Sequence, residues 1–299
     1  MLIAKTLEKL YPNGLQQAYR EEILRVCSAF IKSGFADSKF EGELTSGSKS
    51  KFWSCLSEAL IFDRICRKQF AQRPMIGIGP DFFLIDEHRK VWVEVVCPEP
   101  VGLSKDWIEI QSNAAGFVPH DAILLRWTSA IKAKAEKLIG GSDENNNGYL
   151  KTGIVAASDI YVIAVNGCQL RHGPFPALHG ISQFPYAVEA VFPIGPYQIR
   201  IDAKTLQSVG HGYQERYSIP KPNGATISSC IFLDPRFRMV SAIWAVDFNG
   251  SSVLGNQEPS ALIHNPNASN RLPEGFLPSD SEYVATPTSD GDYLFGSIE

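Results

Sequence analysis

The stretch "GPDFFLIDEHRKVWVEVVCPEP", residues 79–100, contains two apolar runs separated by a polar segment. "FFLI" and "VWVEVV" are short and rich in aromatic or β-branched residues, and the polar "DEHRK" between them favours a turn, so the stretch predicts an antiparallel hairpin. Pairing Leu84 with Val91 leaves the six residues 85–90 in the turn and sets Asp81 opposite Glu94. A slip of one residue would send the two carboxylates to opposite faces of the sheet.

Glu94 is the unexpected residue of this hairpin, because it interrupts a strand that otherwise consists of valine and tryptophan. A carboxylate buried there needs a partner. Asp81 and Glu94 together form an oxygen site suited to Mg²⁺, with waters as the remaining ligands. In the structural alternative, Asp81 caps a turn at the start of the hairpin. Glu94 then pairs with a buried arginine such as Arg126.

A further strand and helix follow the hairpin. The run "AILLRW" from Ala122 to Trp127 predicts the strand, and "SAIKAKAEKLI" predicts the helix. Thr128 or Ser129 would form the N-cap of that helix, and Gly140 would end it. The buried stripe of the helix consists of apolar residues at helical spacing: Ile131, Ala135, Leu138 and Ile139.

A lysine is the third group that a phosphodiester site requires, because an ammonium can orient the attacking water and offset the charge that builds on the phosphorane. On a wheel of about 100 degrees per residue, Lys134 lies about 60 degrees from the centre of the buried stripe. Lys132 and Lys137 lie about 100 and 120 degrees from it, on opposite edges. We therefore expect Lys134 to reach into the domain. The alternative is a lysine that extends from the edge of the stripe to water.

Glu58 is a second acid in an apolar setting. It lies in "KFWSCLSEALIFDRICRKQF", residues 51–70, which predicts a helix that is apolar on almost every side in its first half. On the helical wheel Glu58 falls between Phe62 and Ile65, which disfavours its charge unless it meets a cation or a donor. A hydrogen bond to the backbone or to Arg64 is an equal alternative.

These residues resemble the PD-(D/E)XK nuclease superfamily, the restriction-endonuclease-like fold. Asp81 in "GPDF" follows a helix that carries Glu58, and Glu94 lies in "VWVEVV". The resemblance covers about residues 50–166 and implies an αβββαβ core, with a central mixed sheet flanked by helices. The family pattern has a lysine two residues after the second acid, where this chain has Val96.

The resemblance also implies a site and an activity. Asp81 and Glu94 would hold one or two Mg²⁺ or Mn²⁺ ions, and Glu58 would join the metal ligands from the preceding helix. Some members carry the lysine on the following helix, which makes Lys134 its counterpart. The implied reaction is hydrolysis of phosphodiester bonds in DNA, with RNA as the second choice, leaving a 5′-phosphate and a 3′-hydroxyl. The rival hypothesis is a catalytically inactive module of this fold that binds nucleic acid or a protein partner.

Three further residues are candidates for supporting functions. Arg126 and Ser129 in "LRWTS", and His264 in "ALIHNPNA", can contact phosphate or steady the lysine helix. Roles in the core or in helix capping are the alternatives.

The whole chain predicts an α/β protein in one domain at 1–264, with the core at about 50–166 and an elaboration over 167–264. Residues 15–33 predict a helix and residues 41–51 a loop. Additional strands are predicted around "YVIAV", "AVEAVF", "YQIRI", "SCIFLD" and "VSAIWAV". Residues 265–299 are rich in Pro, Ser, Asp and Gly and predict an irregular surface segment.

The net charge and the distribution of apolar residues indicate which classes of partner the chain can bind. The formal charge of -4 and the pI near 5.9 give no overall attraction to nucleic acid or to anionic membranes, so nucleic-acid binding would depend on a local site. The chain has no uninterrupted apolar stretch of about 18 residues, and lysines and a glutamate interrupt its N-terminal segment. We therefore expect a cytoplasmic protein without a membrane partner, and a homodimer is left open.

Overall fold

The computed structural model of the protein describes residues 2–11, 17–66, 71–72, 79–109, 117–141, 147–171, 178–256, 259–289 and 293–298. In chain order its helices are α1 (Leu2–Leu10), α2 (Gln17–Lys32), α3 (Phe40–Leu44), α4 (Lys49–Cys66), α5 (Lys105–Ile108), α6 (His120–Ile139), α7 (Gly148–Lys151), α8 (Tyr186–Val191) and α9 (Gly250–Val253). Its strands are β1 (Phe82–Asp86), β2 (Arg89–Val96), β3 (Ile160–Asn166), β4 (Ile194–Ile201), β5 (Ser208–Glu215), β6 (Ser218–Pro220), β7 (Thr226–Ser228), β8 (Ala242–Val246), β9 (Ser260–His264), β10 (Ser281–Pro287) and β11 (Tyr293–Ile298).

A seven-stranded sheet in the order β1-β2-β3-β8-β9-β10-β11 forms the centre of the described structure. β2, β3 and β8 run parallel to one another, and β9 runs parallel to β10. β1 pairs antiparallel with β2, β8 with β9, and β10 with β11. The sheet is therefore mixed, and the predicted α/β class with a mixed sheet flanked by helices is confirmed. Two ribbons, β4 with β5 and β6 with β7, pair outside this sheet.

The two faces of the sheet pack against different helices. Val91, Val93 and Val95 of β2 face the cluster that contains buried residues of α2 and α4. Trp92 of β2 and Tyr161 of β3 face the cluster formed with α6 and α8. Because side chains alternate along a strand, Glu94 lies on the same face as Trp92 and points toward α6.

The predicted hairpin is present with the predicted register, since Leu84 pairs with Val91. The two strands continue beyond their predicted ends as far as the pair of Asp86 with Arg89, so the predicted six-residue turn is wrong. Glu87, which starts the remaining two-residue turn, has a φ of 51°. Tight hairpin turns use this left-handed conformation because it matches the twist of the strands.

The predicted strand at 122–127 is wrong, because this segment is the first part of α6, which begins at His120. A short apolar run such as "AILL" does not by itself distinguish a strand from a buried helix. Thr128 and Ser129 consequently lie inside the helix, and α6 follows Pro119 without a side-chain cap. Buried residues recur at helical spacing along the whole of α6: Ile123, Leu124, Trp127, Thr128, Ile131, Ala135 and Leu138.

The loss of this strand changes the predicted αβββαβ order. Between α4 and α6 the described residues contain two sheet strands, β1 and β2. Gln72 adds an isolated antiparallel bridge to Phe83. Of the predicted helix at 51–70, residues 67–70 lie outside the described residues, and α4 accounts for the rest.

Residues 265–299 are not an irregular segment throughout. They contribute β10 and β11, which extend the central sheet beyond β9. Three shorter predictions are also wrong: "AVEAVF" lies largely in helix α8, "SCIFLD" contains a 3₁₀ turn at Ile231–Leu233, and the predicted loop at 41–51 contains most of α3 and the start of α4. The predicted strands around "YVIAV", "YQIRI" and "VSAIWAV" are confirmed as β3, β4 and β8. Among the described residues, no helix is both long enough and apolar enough to cross a membrane.

Candidate active site

Asp81 and Glu94 come together because of the register of β1 and β2. Phe82 pairs with Val93 at the open end of the hairpin, so the next position along the two chains sets Asp81 opposite Glu94. Alternation directs the Glu94 carboxylate to the α6 face, and Asp81 lines the cavity together with Glu58 of α4. Asp81 Oδ2 accepts a hydrogen bond from the backbone N–H of Val95 at 2.6 Å. The predicted register is confirmed as far as the pair of Phe82 with Val93, next to the two acids.

Two lysines of α6 reach the buried glutamate. Lys134 Nζ donates to Glu94 Oε1 at 2.6 Å, and Lys137 Nζ donates to the same oxygen at 2.8 Å. Lys132 instead lies 3.7 Å from Glu136 on the solvent side of the helix. The inward direction of Lys134 was predicted correctly, whereas the contact of Lys137 with the same oxygen was not predicted. Its spacing of three residues from Lys134 is the signal that sequence reasoning missed, since residues so spaced are neighbours on a helix surface.

Glu94 keeps unused hydrogen-bonding capacity although its side chain is 0% exposed. Both ammonium groups share Oε1. Oε2 receives no hydrogen bond from any residue in the described part of the chain. A buried carboxylate oxygen without a donor is costly, because the loss of its hydration is not offset. This oxygen is therefore the atom of the site best prepared to accept a cation.

The charges around Asp81 disfavour its ionised form. Burial, followed by the charge of Glu94, raises the pKa of Asp81 to about 6, against the opposing effects of Lys134 and the Val95 N–H. Burial also disfavours the charge on Lys134, but Glu94 and Asp81 outweigh it and raise the pKa of Lys134 above its usual value. Lys134 is thus an ammonium at neutral pH. Repulsion between the two carboxylates is the strain that a divalent cation would relieve.

A cavity of about 430 Å³ opens beside Asp81. One wall is aromatic and consists of Phe30, Phe35, Phe40 and Phe82. The ionisable and hydroxyl groups of the lining are Asp37, Glu43, Glu58, Asp81, Lys137 and Tyr149. Four carboxyl groups face one ammonium in this lining, so a polyanionic ligand would need a cation to enter.

Glu58 reaches this cavity from α4. Burial, followed by the charge of Asp81, raises the pKa of Glu58 well above its usual range. Its charge is disfavoured, as the sequence predicts. Burial and the charge of Asp81 thus favour the neutral form of Glu58, and a nearby positive charge would favour its carboxylate form as a ligand.

Tyr149 is a lining residue that sequence reasoning missed. Its hydroxyl donates to the carbonyl of Gly79 at 3.1 Å, and the Lys137 ammonium lies 5.1 Å from its ring centroid. Gly148 makes this placement possible, because its φ of 61° favours glycine and a Cβ there would lie 2.3 Å from the backbone N of Gly140. A lone tyrosine between two glycine-bearing loops carries no sequence signal for such a position.

The predicted supporting residues do not join the acids. Arg126 Nε donates to the carbonyl of Glu99 at 2.8 Å and ties α6 to the segment that follows β2. The alternative in which Glu94 pairs with Arg126 is therefore wrong. Ser129 is internal to α6, and His264 lies 2.8 Å from Glu282. Among the described residues, the lining of the cavity includes none of these three.

The donor set fits a metal ion that needs few protein ligands. The described residues contain no group of three or more His, Cys, Asp or Glu side chains that could hold a metal ion, so Asp81, Glu94 and Glu58 do not form an assembled triad. Mg²⁺ is often bound by one or two carboxylates, with waters and substrate phosphates as its other ligands. Asp81 and Glu94 supply two carboxylates from the hairpin, and Oε2 of Glu94 has no hydrogen-bond partner among the described residues.

Comparison with known proteins gives no match to a protein-family model, to a curated protein or to a solved structure.

Proposed function

We propose that the protein is a divalent-metal-dependent nuclease that hydrolyses phosphodiester bonds of DNA, with RNA as a second substrate class. The observation that carries this proposal is the contact of 2.6 Å between the Lys134 ammonium and Glu94, with Asp81 across the hairpin. Two carboxylates and an ammonium are the groups that this reaction uses, and of the two acids Asp81 lines the cavity.

For the fold that carries this activity, we propose a restriction-endonuclease-like core of the PD-(D/E)XK type. Its support is the order of a helix with Glu58, a hairpin with Asp81 and Glu94, and a helix with the lysine. Val96 points to the same face as Glu94 and packs with the α6 cluster, so β2 offers no ammonium there. Lys134 brings an ammonium to the neighbouring position from α6.

Asp81 and Glu94 would hold the Mg²⁺ or Mn²⁺ ion, and Glu58 would complete its ligands once ionised. When bound, such an ion polarises the scissile phosphate and lowers the pKa of a coordinated water. The acidic lining supports this dependence, because without added positive charge it repels a phosphodiester.

Lys134 and Lys137 would supply the other catalytic groups. Lys134, held as an ammonium by its carboxylate neighbours, donates hydrogen bonds to the attacking water and offsets the negative charge of the phosphorane. Lys137 lines the cavity and contacts Glu94, so it lies where a phosphate oxygen would approach. Neither lysine has to lose a proton for these functions.

The alternative is a catalytically inactive module of the same fold that binds nucleic acid or a protein partner. The observation that favours it is that two ammonium groups already neutralise Glu94. A buried carboxylate with two cationic partners can serve structure alone. Cleavage assays separate these functions.

Purified protein is incubated with plasmid, linear duplex and single-stranded DNA in the presence of Mg²⁺ or Mn²⁺. Lys134→Met and Asp81→Asn are each expected to lower the cleavage rate by a factor of about 100 or more. Lys132→Met is the matched control, because it removes an ammonium from the solvent side of the same helix. We expect this control to cleave at the wild-type rate.

Cleavage that persists at the wild-type rate in both Lys134→Met and Asp81→Asn would overturn the proposed site. Absence of cleavage in every protein, combined with retained DNA binding, would favour the inactive module. Thermal unfolding of each variant separates loss of chemistry from loss of fold.

A further inference from the structure

Two cysteine thiols meet where the central sheet ends. Cys97 directly follows β2, and Cys168 lies in the 3₁₀ turn Gly167–Leu170 that follows β3. Because β2 and β3 run parallel with Val96 paired to Val165, both segments leave the sheet at the same end. The two Sγ atoms lie 3.8 Å apart.

The main chain around Cys168 is held by Asn166, which is fully buried. Asn166 Oδ1 accepts hydrogen bonds from the backbone N–H of Cys168 at 3.3 Å and from that of Phe248 at 3.0 Å. Asn166 Nδ2 donates to Ser57 Oγ of α4 at 2.8 Å. The contact between the two thiols is therefore set by the packing of β3 against its neighbours.

The Cys97 sulfur lies in an environment that favours negative charge. Gln169 Nε2 donates to Cys97 Sγ at 3.3 Å. Burial opposes the ionisation of Cys97, but the hydrogen bond from Cys168 and those from other donors outweigh it and lower the pKa of the Cys97 thiol. Burial, followed by the hydrogen bond to Cys97, raises the pKa of the Cys168 thiol well above its usual value. Cys168 is thus the S–H donor of the pair, and Cys97 carries the more acidic sulfur.

The other four cysteines have less acidic thiols. All six cysteines lie in the described part of the chain, and all six are free thiols. Burial raises the pKa of the remaining four: Cys27, Cys55, Cys66 and Cys230. The thiolate is the reactive form of cysteine, so a raised pKa lowers reactivity at neutral pH. The environment of Cys97 therefore distinguishes it from these four.

We propose that Cys97 and Cys168 form a redox site that hydrogen peroxide converts to a reversible disulfide. The Cys97 thiolate attacks one peroxide oxygen and breaks the O–O bond, which gives a sulfenic acid at Cys97 and, after protonation, one water. The Cys168 sulfur then attacks the Cys97 sulfur, so that the S–O bond breaks, the S–S bond forms and a second water leaves. Two thiols thus lose two electrons and two protons, and the peroxide takes up both.

The geometry favours a disulfide over further oxidation of Cys97. The sulfurs of a disulfide lie about 2.0 Å apart, so the pair has to close by roughly 1.8 Å. A sulfenic acid at Cys97 would form beside the thiol that resolves it, as in redox-sensing cysteines. Cys97 is 6% exposed and Cys168 7%, which favours a small peroxide over a protein disulfide as the oxidant. The proposal does not depend on the proposed nuclease activity.

Oxidation of the full-length protein tests the proposal without any cleavage assay. The fully reduced protein is treated with a small molar excess of hydrogen peroxide, and its thiols are counted after unfolding. We expect the wild type to lose two of its six thiols, and peptide mapping without reductant to show Cys97 linked to Cys168. Dithiothreitol is expected to restore all six thiols, because it reduces disulfides.

Two variants separate the two thiols from the rest of the chain. Cys168→Ser is expected to lose the cross-link completely and to stop at a sulfenic acid on Cys97, which a dione reagent labels. Cys66→Ser is the matched control, because it removes an exposed thiol away from the pair. We expect Cys66→Ser to form the same cross-link as the wild type.

A wild-type chain in which Cys66 is oxidised while Cys97 and Cys168 stay reduced would overturn the proposal. Loss of thiols that dithiothreitol does not reverse would also overturn it, since sulfinic acid resists such reductants. Thermal unfolding of Cys168→Ser verifies that this variant folds. The peptide map of the wild type decides the proposal even if Cys168→Ser does not fold.

Discussion

Helix α6 contacts two fully buried glutamates, and the two are held in different ways. Glu189, near the start of α6, uses both carboxylate oxygens. Its Oε1 accepts hydrogen bonds from the backbone N–H and hydroxyl of Ser182. Its Oε2 lies 2.6 Å from Arg216 Nη2 and 2.9 Å from His120 Nε2. Glu94, near the other end of α6, concentrates both ammonium contacts on one oxygen and leaves the other open.

The pKa shifts near the two glutamates show the same contrast between a satisfied and an unsatisfied acid. Burial disfavours the charge of Glu189, but the hydrogen bonds from His120 and Ser182 outweigh it and lower its pKa. Beside Glu94, the second acid Asp81 has a raised pKa. A satisfied buried carboxylate serves the fold, whereas an open one with a strained acidic neighbour and an adjacent cavity is prepared for a ligand.

The largest expected difference is in stability. Glu189→Gln removes the buried charge that pairs with Arg216 and that His120 and Ser182 contact, so we expect a loss of about 3–5 kcal/mol in the free energy of unfolding. Glu94→Gln should cost less, about 1–2 kcal/mol, because Lys137 is partly exposed and Lys134 keeps Asp81 as a partner. Guanidinium unfolding at neutral pH measures both values.

Glu136→Gln is the control for this comparison, because its exposed pair with Lys132 is worth under about 0.5 kcal/mol. If Glu94→Gln destabilises the chain as strongly as Glu189→Gln, the two glutamates are equally structural. The contrast between the two ends of α6 would then lose its functional meaning.

The next largest effect is an increase in the free energy of unfolding, caused by a substitution at Asp81. Asp81→Asn is expected to stabilise the protein by about 1–3 kcal/mol at pH 8, because it removes a carboxylate that the folded state disfavours. The raised pKa of Asp81, about 6 in the fold, means that its unfavourable contribution grows as pH rises from about 4 to above 6. Asparagine can still accept the hydrogen bond from Val95 N–H, so the local structure is preserved.

Unfolding measured over a range of pH should show that the stabilisation by Asp81→Asn disappears at acidic pH. There Asp81 is protonated in both the folded and the unfolded chain. Asp86→Asn is a suitable control, because the carboxylate of Asp86 is paired with Arg89 at 2.7 Å and lies at the opposite end of β1. A gain for Asp81→Asn that is the same at pH 4 and pH 8 would contradict the electrostatic explanation.

The parts predicted correctly from the sequence share a local cause. The register of Leu84 with Val91 follows from alternation between two short apolar runs, and a one-residue slip would have buried the wrong face. The inward direction of Lys134 follows from helical periodicity alone. The contact of Lys137 with Glu94 shows the limit of that argument, because a long side chain can reach a buried charge from the edge of the stripe.

The missed parts depend on tertiary context. The run "AILLRW" is compatible with a strand or a helix, and only its packing against β3 and α8 decides for α6. Residues 281–287 form a strand beside β9. Their Tyr, Val and Thr are typical of strands, but the Pro, Ser, Asp and Gly content of the whole segment 265–299 favoured an irregular structure. Tyr149 lines the cavity directly after Gly148, whose φ of 61° favours glycine, and no spacing rule connects it with Asp81.

The smallest predicted effect is stabilisation by Mg²⁺, which tests whether Oε2 of Glu94 accepts a cation. A cation that binds only the folded state stabilises it by about 1.4 kcal/mol at ten times its dissociation constant. We therefore expect Mg²⁺ to raise the melting temperature of the wild type at pH 8, because a bound cation satisfies Glu94 Oε2 and relieves the repulsion at Asp81. Asp81→Asn should lose most of this increase, whereas Glu136→Gln should keep it. The same Mg²⁺-induced increase in all three proteins would mean that the ion binds elsewhere and that Glu94, like Glu189, is held for structure alone.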